Sequence, residues 1–240
     1  MSATLVQQPN PATQSEVVVV VNDQPIMGAA LAQLAAQVIS RTGNALKVAA
    51  RVTTRAQAKE CLVRFRPRLL VTEIRLANEL CFDFLETVHA KHRTSKTLVV
   101  SQLPEAIFAE RVLQSGASGF VSTTASTTEI QSAISKVIAG DLYVSPEVER
   151  QILLRLNKNG QDAGQSINRC STSTNRELMV LNFLGKGHPP REIADLLDLS
   201  VKTIETYRDR LKKKLGLNST FQLLRFALEC HILGFGQVNP

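Results

Sequence analysis

Two periodicities of apolar and polar residues alternate along the first 140 positions. Glu16 to Val21 is a β-branched run bounded by Asn22-Asp23, and it predicts a strand. Pro25 to Ser40 then sets Ile26, Ala30, Leu34 and Val38 at helical spacing. Leu46 to Val52 reads as a strand and Arg55 to Phe65 as a helix. Leu69 to Ile74 is strand-like and Phe82 to His92 helical. Thr97 to Ser101 is a strand and Ala106 to Ser115 a helix, and Gly119 to Ser122 is a short strand. Ser126 to Ala139 closes the series as a helix, with Ser126 and Glu129 spaced as a capping box. Five strands alternating with five helices predict βαβ units on a parallel sheet. Strands this uniformly apolar would be covered on both faces.

The pattern changes after residue 140. Ser145 to Leu156 reads as one more helix. Asn157 to Ser173 is Gly/Ser/Asn-rich without apolar periodicity, the composition of a linker. From Thr174 every segment is helical. Thr174 and Glu177 form a second capping box ahead of Leu178, Leu181 and Leu184, and Gly185 and Gly187 stop that helix. Pro190 suits the first turn of a second helix, which runs to about Leu197. Asp198-Leu199-Ser200 is a short turn. Val201 to Leu215 follows as a third helix, ended by Gly216, and Thr220 to Leu233 makes a fourth. Helix, three-residue turn, helix is the helix-turn-helix arrangement. The expected organisation is a loose tail over 1–15, an α/β domain over 16–140 and a connecting helix over 141–156. A linker over 157–173 and an all-helical domain over 174–240 complete it.

Composition narrows the partners. The chain has 240 residues, of which 44% are hydrophobic, so a packed core is expected and wholesale disorder is not. No apolar run approaches the ~18 residues of a membrane span, and the Gln/Pro/Thr/Ser-rich start lacks the features of a signal peptide. Cysteines at 61, 81, 170 and 230 share no short spacing, so neither a zinc site nor a disulfide framework is indicated, and a cytoplasmic home fits best. The net charge of +7 permits a polyanionic partner. With no Trp and two Tyr, an aromatic platform for single-stranded bases is not expected.

On a helix at ~100° per residue, Ile204, Leu211 and Leu215 of the third C-terminal helix share one face, with Tyr207 beside them. Lys202, Thr206, Asp209 and Lys213 occupy the other, flanked by Glu205 and Arg210. Such a polar face can enter a DNA major groove. Thr206 could touch a thymine methyl, Glu205 could accept from a cytosine amino group, and Lys or Arg could take phosphates or guanine. The charge pattern alone fits an ordinary solvated helix equally well, Lys212-Lys213-Lys214 included.

A motif set separates these readings. Thr174, Arg176 and Glu177 are followed by Gly187, Glu192, Ile193 and Ala194. Ser200, Thr203 and Ile204 come next, then Lys214, Leu215 and Gly216. This ungapped run of some sixty residues resembles the four-helix C-terminal domain of the LuxR/NarL/FixJ family. The resemblance implies double-stranded DNA binding, with Val201 to Leu215 as recognition helix, and a symmetric homodimer presenting two such helices is expected. Its usual contacts fall on Lys202, Glu205, Thr206 and Asp209. The wider candidate set adds Thr203, Arg208, Arg210 and Lys213. Asp209 stands where relatives often place a basic residue and Tyr207 where many have His. The segment from Thr174 onward carries ten basic and seven acidic residues, a balance of only +3.

The same family usually carries a response-regulator receiver, and residues 16–140 resemble one. Asn22-Asp23-Gln24-Pro25, Pro67 to Leu76, Ser101 and Gly116 to Phe120 carry the likeness. The implied fold is flavodoxin-like, doubly wound (βα)5. Phosphorylation of a receiver needs an Asp nucleophile, carboxylates that hold Mg²⁺ and a Lys that neutralises phosphoryl oxygens. Here Glu73 stands at the nucleophile position, Asn22 at the first acidic position and Thr123 at the Lys position. Asp23 and Ser101 remain. The glutamate is one methylene longer, a charge is lost from the Mg²⁺ site, and the cation is gone, so aspartyl phosphorylation is not expected. Glu73 either imitates a phosphorylated Asp or marks a degenerate site. The second fits better, since a carboxylate carries less charge than a phosphoryl group and the Lys is missing.

Smaller signals carry less. His89 and His92 have metal-ligand spacing on a helix but no evident third ligand, so a solvated pair is expected. His188 is given no role. No Gly-rich phosphate loop or nucleophile elbow appears, so no cofactor is expected. An enzyme at the strand ends finds no base–nucleophile pair among Asn22, Asp23, Glu73, Ser101 and Thr123. The alternative to a DNA-binding regulator is an interaction protein. Its receiver would dock a partner or ligand and its helical domain would have lost DNA affinity. Leu224, Leu228 and Ile232 form one stripe on the last helix, the candidate dimer surface.

Overall fold

The computed structural model describes residues 16–40, 43–77, 79–150 and 173–232. The expected tail, residues 151–156 of the connecting helix and nearly all of the expected linker lie outside the described residues.

The first half is a five-stranded parallel sheet with helices on both faces. Its strands are β1 (Val17–Val21), β2 (Lys47–Val52), β3 (Leu69–Thr72), β6 (Lys96–Ser101) and β7 (Gly119–Ser122), in the order β2-β1-β3-β6-β7. The strand order reverses direction beside β1, so the carboxyl ends of β1 and β3 flank a crevice. The helices are α1 (Pro25–Ala36), α2 (Arg55–Phe65), α3 (Phe82–Lys91), α4 (Glu105–Gln114) and α5 (Thr127–Ala139). All five residues of β1 and all four of β3 are buried, as strands sandwiched between helix layers must be. A small antiparallel pair, β4 (Arg75–Leu76) and β5 (Glu79–Leu80), follows β3.

The expected elements are recovered with three differences. α1 stops at Ala36 rather than Ser40, because the chain turns back and Ile39 bridges Ala45 antiparallel. β3 ends at Thr72, and Glu73 and Ile74 belong to the turn into β4. Ser126 caps α5 by accepting from the Glu129 amide, while the Glu129 carboxylate accepts from the Tyr143 hydroxyl at 3.3 Å. Residues 146–150 are helical.

The second half holds four helices: α6 (Asn175–Gly185), α7 (Pro190–Leu197), α8 (Val201–Leu215) and α9 (Thr220–Ile232). Thr174 and Glu177 complete the capping box of α6 reciprocally. Asp198 turns left-handed (φ 53°) to end α7, and Ser200 caps α8 two residues later. These two devices set the sharp turn between the helices.

α6 is the spine of this half. Glu177 to Gly185 are all buried. The largest apolar cluster includes Phe82, Leu85, Ile107 and Phe108 of the first half. It continues through Val148 to Leu178, Met179 and Phe183 of α6. Gly185 permits the closest approach, because a Cβ there would lie 2.4 Å from the Ala227 carbonyl oxygen of α9. Helix propensity favours Ala over Gly by about 1 kcal/mol, but overpacking against a backbone atom costs about 1–3 kcal/mol or more. Gly185→Ala is therefore expected to destabilise, read as a lower urea midpoint by circular dichroism. An unchanged or raised midpoint would contradict the packing described.

Candidate nucleic-acid interface

α8 presents two chemically distinct faces. Ile204, Leu211 and Leu215 are buried against α6 and α7, as the apolar spacing predicts. Lys202, Thr206, Asp209, Arg210 and Lys213 are exposed, together with Glu205. The described residues leave this polar face uncovered, and it is the surface a groove-binding helix needs.

Within the candidate set the roles divide. Thr203 is partly buried, and its hydroxyl lies 2.8 Å from the Ser200 hydroxyl in the cap. The Thr206 hydroxyl donates to the Lys202 carbonyl at 2.9 Å. Arg208 is turned inward, its side chain only 12% exposed, and it pairs with Glu205 at 2.5 Å. Asp209 pairs with Lys212 at 2.9 Å. The hydrogen bond and charge of Lys212 hold the Asp209 carboxyl below the usual range. Arg210 lies over the Tyr207 ring, 5.9 Å from its centroid. The exposed cations of the face are thus Lys202, Arg210 and Lys213, whereas Thr203 and Arg208 shape the helix.

The scaffold beneath is held by one buried carboxylate. Glu177 accepts from the Thr174 amide at 2.7 Å and from the Lys214 ammonium at 2.6 Å, with its side chain 1% exposed. Burial pushes its carboxyl up, but these two donors outweigh that and hold it below the usual range. It ties the start of α6 to the end of α8. His188 is also accounted for: it pairs with Glu192 at 2.9 Å and packs edge-on to Phe183.

A family model for bacterial regulatory proteins of the luxR family, the GerE domain, matches residues 172–227. The Fimbriae Z protein of Escherichia coli K12 is 31% identical over 173 residues, 69% of this chain and 76% of that one. The chain belongs to the luxR family. The oxygen regulatory protein NreC of Staphylococcus carnosus is 31% identical over 142 residues, 59% of this chain and 65% of that relative, somewhat under two thirds of its length. Among solved structures, RcsB from Salmonella enterica serovar Typhimurium bound to a promoter superimposes with a TM-score of 0.57 at 18% identity. That match covers 90% of this chain and 99% of RcsB, and it establishes a shared fold.

The luxR-family helical domain follows a receiver whose site has a distinctive internal geometry. Asp23, Gln24, Glu73, Arg75, Ser101, Gln102 and Leu103 line a cavity of about 100 Å³ at the carboxyl ends of the strands. Glu73 curls back on its own turn: Oε1 accepts from the Ile74 amide at 2.8 Å and the Arg75 amide at 3.2 Å. The Ser101 hydroxyl also bonds to this carboxylate. Burial pushes the Glu73 carboxyl up, and these bonds oppose it only in part. Asp23 accepts from the Ala77 amide at 3.1 Å.

Asn22 and Thr123 do not line the cavity. Buried Asn22 accepts from the Gln24 amide at 2.8 Å in the turn ahead of α1. Thr123 binds the Ser101 carbonyl through its backbone amide at 3.0 Å. The cavity instead contains Arg75, a cation the sequence reading did not single out. Burial, and then the Arg75 charge, lower the Lys186 ammonium at the end of α6 from its ordinary value. Among the described residues no group of three metal-binding side chains is found, and no helix is long and apolar enough to cross a membrane.

Proposed function

We propose that this chain is a cytoplasmic transcription regulator that binds double-stranded DNA as a homodimer through α8, without aspartyl phosphorylation. The observation that carries the reading is the open polar face of α8, with Lys202, Arg210 and Lys213 exposed on a capped helix-turn-helix. RcsB, which shares the fold, has been solved in complex with DNA. Two recognition helices about one DNA turn (~34 Å) apart would read a roughly palindromic site. Phe221, Leu224 and Leu228 are exposed on α9 and supply an apolar stripe for the second copy. The Ile232 side chain lies outside the described residues. The division into a receiver over 16–140 and a DNA-binding domain from 174 onward belongs to the same proposal.

Independence from phosphorylation rests on Glu73. Its carboxylate already takes the Ile74 and Arg75 amides and the Ser101 hydroxyl, groups that would otherwise face a transferred phosphoryl group. The Thr123 side chain supplies no cation to replace the missing Lys. A second reading, an interaction protein with little DNA affinity, is favoured by one feature: Asp209 and its partner Lys212 cancel charge on the groove face.

The test is a gel shift of the full-length protein on genomic DNA fragments at two salt concentrations, without and with acetyl phosphate. Selective retention surviving the higher salt is expected, with no change in intact mass or affinity on adding the donor. Binding to no fragment at either salt would leave the interaction reading. A mass gain of one phosphoryl group with tighter binding would overturn independence. Glu73→Asp alone is expected to stay unphosphorylated, because Asn22 and Thr123 still lack the charges that hold Mg²⁺ and the phosphoryl oxygens.

A further inference from the structure

The structure separates the His89 and His92 pair. His89 lines a cleft of about 780 Å³ at the amino ends of β6 and β7, the edge of the sheet opposite Glu73, and His92 does not line it. The size lies within the ~300–1,000 Å³ of ligand pockets. Arg93 and Lys96 share the lining with His89, and among the described residues no carboxylate does. Leu113 and Leu142 form an apolar wall; Leu142 is 70% exposed.

Three features of the fold shape this cleft. The His89 ring packs against Gly116, where a Cβ would fall 2.3 Å from the imidazole and where φ is +90°. Only glycine both adopts that backbone and leaves room for the ring. Ser95 closes the turn carrying Arg93 and ties it to the segment before β3. The Ser95 amide donates to the His92 carbonyl at 2.8 Å and the Ser95 hydroxyl to the Pro67 carbonyl at 2.5 Å. Leu142 is held by its neighbour Tyr143, which exchanges backbone bonds with Ser118 and Phe120 at 3.0 and 2.9 Å.

We propose that this cleft is a binding site for a small phosphate monoester with an apolar body. Arg93 and Lys96 match the two charges of the dianion, and guanidinium and ammonium are the usual partners of phosphate oxygens. The Leu113 and Leu142 wall takes the body and removes Leu142 from water. A bare inorganic anion would leave that wall uncovered, and a DNA backbone has nothing to place against it. The site is remote from Glu73 and α8, so it stands or falls independently of the DNA-binding proposal.

Phenyl phosphate is the probe, titrated calorimetrically into the full-length protein, with phenol and inorganic phosphate as comparisons. Saturable one-to-one binding is expected, at least about tenfold tighter than either comparison. Arg93→Ala with Lys96→Ala is expected to weaken it at least about tenfold while leaving the far-UV melt unchanged. Leu142→Glu, at an exposed position that folding does not need, is expected to do the same and carries the test if the double variant misfolds. Equal affinity for inorganic phosphate would reduce the cleft to an unspecific anion patch and overturn the proposal. So would binding that survives the substitutions, or a loss of DNA affinity in the variants without any phenyl phosphate binding.

Discussion

Replacing Glu177 by Ala is expected to lower the unfolding free energy by about 2–4 kcal/mol, read from urea denaturation. Removing one member of a fully buried ion pair costs about 3–5 kcal/mol. Lys214 is 32% exposed and can be partly rehydrated, so the expected loss lies about 1 kcal/mol below that range. The Thr174 amide loses its acceptor as well. Thr174→Ala, which removes the cap hydroxyl but keeps the ion pair, is expected to cost only about 1 kcal/mol. Glu177→Gln should fall between the two. The sign of the pH dependence follows from the depressed carboxyl. Its stabilisation is present above the unfolded glutamate value of about 4.3 and is lost as pH falls through the lower folded value. Wild type should therefore lose more stability than Glu177→Gln between pH 5 and the acid limit. A Glu177→Ala loss under about 0.5 kcal/mol, the ordinary scatter of surface changes, would show that the carboxylate does not tie α6 to α8.

This carboxylate illustrates where sequence reading reaches. The Thr174–Glu177 spacing announces a capping box, and the structure has one, because a cap is local in the chain. The partner Lys214 lies 37 residues on, where the sequence marks it as part of a basic run and of the family motif but not as a partner of Glu177. The strands were legible because buried parallel strands are unbroken apolar runs, as in Val17 to Val21. The β4–β5 pair was not, since two-residue strands have no periodicity to detect. In the receiver, Glu73 is legible through the likeness of Pro67 to Leu76 to the segment that ends the third strand. Arg75 was missed because its place in the cavity depends on the turn that Glu73 itself organises. On α8 the polar face was correct as a face, but Arg208 folds inward to Glu205, and only side-chain geometry distinguishes it from Arg210. The basic cleft joins α3, the loop into β6, α4 with the turn before β7, and the segment after α5, which no local pattern connects.

Lys202→Ala with Lys213→Ala is expected to weaken DNA binding by the full-length protein about a hundredfold. That is about tenfold, or 1.4 kcal/mol, for each lost phosphate contact. Both residues are exposed, so the fold should be unaffected. The diagnostic quantity is the salt dependence: each phosphate contact removed lowers the slope of log K against log salt by about 0.9, and the pair by about 1.8. Asp209→Asn is expected to act in the opposite direction. It removes an exposed negative charge facing the phosphates and releases Lys212 from its ion pair. Binding should tighten, with a steeper salt slope as Lys212 becomes available to the backbone. Fluorescence anisotropy on a selected fragment measures all three proteins under one protocol. The opposed signs are what matter, because destabilised variants would weaken together whereas a helix seated in the groove responds to the sign of each charge. Identical slopes for wild type and the double lysine variant would mean that α8 does not face the phosphates. The retained affinity would then have to come from another basic surface, and the groove-facing assignment of Lys202 and Lys213 would be withdrawn.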